Sequence, residues 1–193
     1  MDKKVIYLTF DDGPTPEVTN WIIDVLAQYH AKATFFCLGK NIVQNPKISQ
    51  KLLKASHRIA NHSYSHYKGW WTNNAMYVAD VEKTQKIIET VYTKPIGKNK
   101  LFRPPYGKLG HCQAKQLRKK GYKIVLWDVL SGDFDSTISS KKAIGKILRH
   151  SRPGSIVVFH DSRKAFKNLQ LILPKVLSYW SNKGYVFDVL TVD

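Results

Sequence analysis

Thr9-Phe10-Asp11-Asp12-Gly13-Pro14 closes the first apolar run of the chain, and the architecture is read outward from it. Val5-Ile6-Tyr7-Leu8 before it reads as a buried strand, and two adjacent carboxylates then fall where the chain turns at Gly-Pro. Paired acids at a strand end are costly unless a cation or a basic side chain neutralises them. Further on, His62-Ser63-Tyr64-Ser65-His66 offers two imidazoles that one helical turn or a tight loop aims at a single point. One Asp with two His is the donor set of a hydrolytic zinc centre that keeps positions open for water and substrate. The other Asp is then free to act as a base.

The segments that follow alternate between strand and helix. Val5–Phe10, Ala33–Leu38, His57–Asn61, Lys100–Phe102, Tyr122–Trp127, Ser155–His160 and Tyr185–Val192 read as strands. Helices are expected over Glu17–Tyr29, Pro46–Ser56, Asn74–Tyr92, Gly110–Lys120 and Ser139–His150, with a last one that has Pro174 in its first turn and ends near Gly184. Such alternation implies a parallel α/β architecture, either a closed barrel or an open doubly wound sheet. Asp11 and Asp12 follow the first strand, His62 and His66 the third, Arg103 the fourth and Asp133 the fifth, while His160 ends the sixth. Only a barrel brings the C-terminal ends of all strands to one mouth. With seven strands rather than eight, the barrel should be irregular or incompletely closed.

At 193 residues, with no internal repeat, residues 1–193 read as one domain able to bury a core without staples. Lys and Arg number 31 against 14 acids, and ten of the bases with no acid fall between Thr90 and Trp127: Lys94, Lys98, Lys100, Arg103, Lys108, Lys115, Arg118, Lys119, Lys120 and Lys123. This region 90–127 would attract an anionic polymer or surface, or else form a solvated helix face; charge alone speaks to encounter rather than chemistry and names no specific nucleic acid. Cys37 reads as a buried thiol and Cys112 as the start of a basic helix, which is no disulfide framework. No stretch is long enough to span a membrane, and Met1-Asp2-Lys3-Lys4 runs into the first strand without a signal-peptide core. The expectation is a cytoplasmic protein if the chain is full length, and an exported or cell-envelope one if a leader has been removed.

With these residues in place the chain resembles the polysaccharide deacetylases of the NodB-homology type, carbohydrate esterase family 4, which have a distorted (β/α)7 barrel. Five ordered motifs carry the resemblance: Thr9–Pro14, His62–His66, Arg103-Pro104-Pro105-Tyr106-Gly107, Trp127–Phe134 and Ile156-Val157-Val158-Phe159-His160-Asp161. The resemblance implies that Asp12, His62 and His66 hold a divalent metal, usually Zn2+, with Co2+ or Ni2+ as alternatives. It makes Asp11 the general base and Arg103 the residue that keeps Asp11 ionised and oriented. The backbone N–H of Tyr106 would stabilise the oxyanion, and His160, supported by Asp133, would protonate the departing amine. Pro104, Phe134 and Val158 would line the substrate pocket.

Two motifs depart from the family pattern. In the fourth, Leu130 and Phe134 stand where the family has Asp and Trp, which alters the groove wall while Asp133 is kept. In the fifth, Val158 replaces the Leu that commonly lines the acetyl-methyl pocket. His30, His57, His111 and His150 read as helix-end or surface residues, and Tyr64, Tyr67, Trp70 and Trp71 are left outside the site. The implied activity is N-deacetylation of N-acetylglucosamine units in a chitooligosaccharide, peptidoglycan-type or related glycan. O-deacetylation of xylan by the same machinery is the alternative within enzymes. A non-catalytic basic barrel that binds glycan or nucleic acid is the alternative outside them, disfavoured because binding alone needs no base and acid.

Overall fold

A computed structural model describes residues 4–92 and 100–191. Lys94 and Lys98 of the basic run, and Val192 at the end of the last expected strand, lie outside the described residues. The strands are β1 (Val5–Asp11), β2 (Ala33–Cys37), β3 (Arg58–Asn61), β4 (Lys100–Phe102), β5 (Tyr122–Ile124), β6 (Val129–Leu130), β7 (Ile156–His160) and β8 (Val186–Phe187). The helices are α1 (Pro16–Gln28), α2 (Gly39–Gln44), α3 (Pro46–Lys54), α4 (Asn74–Val91), α5 (His111–Lys119), α6 (Ser140–His150) and α7 (Arg163–Asn182). The strands are parallel and run in the order β5-β4-β3-β2-β1-β7-β6, with β8 paired to the start of β1. The sheet curls into a distorted (β/α)7 barrel that stays open between β5 and β6; closure is incomplete, as expected, although eight strands are described where seven were expected.

Alternation along the strands sorts the core into two layers. Ile6, Leu8 and Phe10 of β1, Phe35 of β2, and Val157 and Phe159 of β7 face the helices and form the main core with Ile22, Leu26, Leu173, Leu177 and Trp180. Phe36, Ala60, Leu101 and Val125 pack with Leu190 as a smaller cluster, with Tyr7 and Ile156 against it. Phe35 and Phe36, neighbours in sequence, thus belong to different cores.

Several expected boundaries moved. Tyr122–Trp127 shortens to β5, and a further two-residue strand, β6, follows it, so Asp133 comes after β6, not β5. Tyr185–Val192 shrinks to β8, because Leu190 donates its N–H to the Thr34 side chain instead of a ladder. Pro174 sits inside α7, which starts at Arg163. The buried Ala165, Leu169, Ile172, Leu173 and Val176 make one continuous apolar face across the proline, so packing overrides the missing N–H. Cys37 is buried and its thiol is raised well above its ordinary value by burial, then by Asp161 and Asp11. No helix among the described residues is long and apolar enough to cross a membrane.

Candidate active site

Asp11 and Asp12 are adjacent in sequence, so a continued strand would send them to opposite faces. The chain instead turns at Asp12, whose φ is +84°. Gly13 accepts this tight exit because it has no side chain: a Cβ there would lie 1.7 Å from Asp161 Oδ2. Asp161, fully buried, receives the Gly13 N–H at 2.8 Å and the Thr19 hydroxyl at 2.7 Å, and its own N–H donates to the Asp11 carbonyl. Burial, and after it the nearby Asp12, pushes the Asp161 carboxyl up to about 7, against the pull of its hydrogen bonds.

The two histidines come from the loop after β3. Ser63 and His66 have φ of +69° and +60°, and the loop is pinned from α4: Asp80 accepts the N–H groups of Tyr64 and Ser65 and the Ser65 hydroxyl at 2.7–3.0 Å. His62 Nδ1 donates to the Arg103 carbonyl at 2.8 Å, which leaves the Nε2 lone pair free. Burial pulls His62 down despite Asp11 and Asp12, and so favours the neutral imidazole that ligates metals. For Asp12, burial acts upward, but the His66 hydrogen bond and the charges of His62, His160 and His66 hold it well below the usual carboxylate range.

Asp12 Oδ1 lies 3.6 Å from His62 Nε2 and 3.3 Å from His66 Nε2, and the three donor atoms all lie within 4.8 Å of one another. Ligand atoms about 2.1 Å from a tetrahedral ion stand roughly 3.4 Å apart, so this donor set fits a zinc-sized cation.

Arg103 is fully buried inside the barrel, its guanidinium 4.1 Å from the Phe36 ring centroid. Its Nη1 donates to Asp11 Oδ1 at 2.8 Å and to Thr9 Oγ1 at 2.7 Å, while Nε and Nη2 reach the Val125 and Leu126 carbonyls. Burial lowers the Arg103 guanidinium, and the Asp11 charge and hydrogen bond oppose this. Across the β1–β7 ladder Asp11 is the register partner of His160. Asp133 grips His160 twice: Oδ1 takes Nδ1–H at 2.8 Å and Oδ2 takes the backbone N–H at 2.7 Å. Burial alone would lower His160, yet the Asp133 hydrogen bond and charge, with Asp11 and Asp12 beyond, push it up to about 9.

These residues share one cavity of about 410 Å3, lined by Asp11, Asp12, His62, His66 and His160 together with Tyr106, Trp127, Leu130, Phe134, Ser162 and Lys164. Of the three expected pocket residues only Phe134 lines it, its ring 4.9 Å from His160. Pro104 and Val158 are buried outside the lining. Val158 shares the barrel-facing side of β7 with His160 but lies two residues, one layer, deeper, and Leu130 beside it on β6 reaches the wall instead. A larger open groove of about 860 Å3 at the β5–β6 seam contains none of the expected site residues. Lys115, Arg118, Lys119 and Lys120 are exposed on or beside α5 and do not line the cavity.

Sequence reasoning gave no role to Asp80, nor to Asp161 and Trp127 within their motifs, and left Trp70 outside the site. Asp80 carried a signal, a charge on the inward face of α4 between Tyr77 and Val81. Trp70 stands 5.6 Å from Tyr106, which in turn lies 4.7 Å from His66. His57 also needs correction: it is buried, and its Nδ1 accepts the Ala33 N–H at 3.2 Å because His57 leads into β3, whose Arg58 pairs with Thr34 of β2.

Comparison with known proteins follows the same lines. Residues 1–125 match the family model described as polysaccharide deacetylase. A peptidoglycan-N-acetylglucosamine deacetylase of Bacillus cereus is 30% identical over 187 residues, 96% of this chain and 86% of that protein. A chitooligosaccharide deacetylase of Azorhizobium caulinodans is 33% identical over 156 residues, 81% of this chain and 73% of that protein. The crystal structure of a peptidoglycan N-acetylglucosamine deacetylase in complex with 4-naphthalen-1-yl-N-oxidanyl-benzamide superposes with a TM-score of 0.89 at 32% identity, covering 98% of this chain and 87% of that one. On the family match, the shared curled barrel and the identity to these enzymes along most of its length, the chain belongs to the polysaccharide deacetylase family.

Proposed function

We propose that the chain is a metal-dependent hydrolase that removes N-acetyl groups from N-acetylglucosamine-containing glycans of the peptidoglycan or chitooligosaccharide type. The observation that carries this reading is the convergence of one Asp–His–His donor set, one arginine-paired carboxylate and one aspartate-paired histidine on a single cavity. Amide hydrolysis needs a water relieved of a proton, a polarised carbonyl and a proton for the nitrogen.

Asp12, His62 and His66 would hold the divalent cation. When bound, it supplies Lewis acidity, lowering the pKa of a coordinated water and polarising the acetyl carbonyl. Two imidazoles and a carboxylate favour Zn2+, and the same donors accept Co2+ or Ni2+. The compound bound in the related deacetylase structure, an N-hydroxybenzamide, is a hydroxamic acid, a chelating group for such ions, which supports the assignment.

Asp11, its Oδ1 occupied by Arg103, has Oδ2 to accept the proton of the attacking water. The Tyr106 N–H is assigned to the developing oxyanion because Tyr106 forms part of the wall; one such donor is typically worth about 3 kcal/mol. His160, held through Nδ1 by Asp133, presents Nε2 and carries a proton at neutral pH. As the C–N bond breaks, that proton passes to the departing nitrogen, and acetate and a free amine leave.

The test is acetate release measured over chitooligosaccharides, peptidoglycan fragments and acetylated xylan. Chelation with EDTA should abolish release and zinc should restore it. Asp11→Asn should stop turnover while metal content stays near one ion per chain, whereas His62→Ala should lose the ion. Near-normal turnover by Asp11→Asn would show the base to be wrongly assigned. Release from acetylated xylan alone would favour an O-esterase, and salt-sensitive polymer binding without any release would favour a binding barrel.

A further inference from the structure

The cavity lies near the lower end of the roughly 300–1,000 Å3 range of small-molecule pockets, room for one sugar unit rather than a strand. Any flanking unit must rest outside it. On one side the surface outside is built of rings: Tyr106 on the wall, then Trp70 at 5.6 Å, then Trp71 at 6.0 Å from Trp70. Trp70 is 41% exposed and Trp71 77%, so the row remains open to solvent although both are large apolar side chains.

This row is not a loose loop tip. Gly69 to Trp71 form a single 3-10 turn, closed by the Thr72 hydroxyl and the Trp71 N–H on the Lys68 carbonyl. From beneath, the buried Gln113 of α5 clamps the turn: its Nε2 donates to the Gly69 carbonyl at 2.7 Å and the Thr72 carbonyl at 3.2 Å, while its Oε1 accepts the Gly110 N–H. Lys68 and Lys108 lie 4.6 Å and 5.8 Å from the ring centroids of Trp71 and Trp70. A buried polar side chain with all its partners met, holding two exposed indoles in place, is a costly arrangement for a mere connection.

We propose that Tyr106, Trp70 and Trp71 form a shelf, continuous with the cavity, that binds the pyranose units flanking the one being deacetylated. Flat aromatic faces suit the apolar C–H faces of pyranoses. Continuity with the catalytic cavity makes the occupant the rest of the same glycan chain rather than a separate partner. The proposal rests on the deacetylase reading and deepens it: the substrate is an oligomer or polymer, and the shelf sets chain-length preference.

The test compares kcat/KM for the disaccharide and the pentasaccharide of β-1,4-linked N-acetylglucosamine in the zinc-loaded enzyme, Trp71→Ala, and Trp70→Ala/Trp71→Ala. The pentasaccharide should be preferred by the unaltered enzyme. That preference should fall by about tenfold on losing Trp71 and further in the double variant, through KM. An unchanged preference in both variants, no preference to begin with, or a change confined to oligomeric state overturns the shelf. A second measurement needs no turnover: pentasaccharide titrated into the Asp11→Asn protein should shift indole emission to the blue, and the shift should shrink in Asp11→Asn/Trp71→Ala. A chain that releases no acetate from any substrate refutes the deacetylase reading, whereas the emission shift judges the shelf by itself, and its absence overturns the shelf.

Discussion

Replacing Arg103 with methionine tests the internal electrostatics of the barrel most directly. Methionine keeps an apolar stem against Phe36 but removes the guanidinium, leaving Asp11, only 3% exposed, without its counter-ion. Breaking a buried ion pair from one side costs about 3–5 kcal/mol. The Val125 carbonyl loses a long 3.3 Å bond, and the Leu126 carbonyl belongs to a residue 48% exposed that water can reach, so these add little. The expected loss for Arg103→Met is therefore about 4 kcal/mol. Asp11→Asn alone should cost less, because Arg103 keeps three other acceptors. The double variant, with neither charge to desolvate, should fall short of the sum of the single losses by at least ~2 kcal/mol. Urea unfolding at neutral pH, followed by tryptophan fluorescence with EDTA present so that no cation stands in for the arginine, gives all four corners of the cycle. Losses that add to within about 0.5 kcal/mol would refute the pairing as the reason Arg103 is buried.

Three further outcomes follow from particular contacts. Asp80→Ala removes three hydrogen bonds from the loop between His62 and His66 and should weaken zinc binding by about 10- to 100-fold in chelator competition; unaltered affinity would show that the loop holds itself. Asp133→Ala frees His160 and should lower kcat by roughly 10²- to 10⁴-fold with little change in KM, and a normal kcat would show that His160 needs no support from Asp133. His57, lowered by burial and secondarily by Lys32 from 6.5 to about 4, takes up its proton later in the folded chain than in the unfolded one. Stability should therefore drop as pH falls from 6.5 to 4, by about 3 kcal/mol at roughly 1.4 kcal/mol per pH unit, with no further loss from this group below 4. His57→Asn should flatten that part of the curve in denaturant titrations across pH, and an identical slope in both proteins would assign the loss elsewhere.

The sequence by itself determined the strand–helix alternation and the placing of the carboxylates, imidazoles and arginine at strand ends. These are local properties: hydrophobic period, turn residues and the order of motifs along the chain. The pairing of Asp133 with His160 came from the family resemblance rather than from any local pattern, and hydrogen bonds at 2.8 Å and 2.7 Å join the two. What the sequence did not hold was the depth of residues within the barrel. Val158 and His160 share one face of β7, and only the curl of the sheet decides that one lines the cavity while the other lies a layer below. Nor did spacing show that Asp80 on α4 and Gln113 on α5 pin two loops far from them in sequence, or that Trp70 meets Tyr106 across 36 positions. Such contacts depend on how helices dock on the sheet, a sum of packing over many residues that no local pattern encodes. The left-handed turns at Asp12, Ser63, His66 and Tyr106 are not at glycine: Asn41 holds the Asp12 carbonyl from across the fold, while local bonds from the Ser63 N–H to Asn61 Oδ1 and from the His66 N–H to Ser63 Oγ shape the histidine loop.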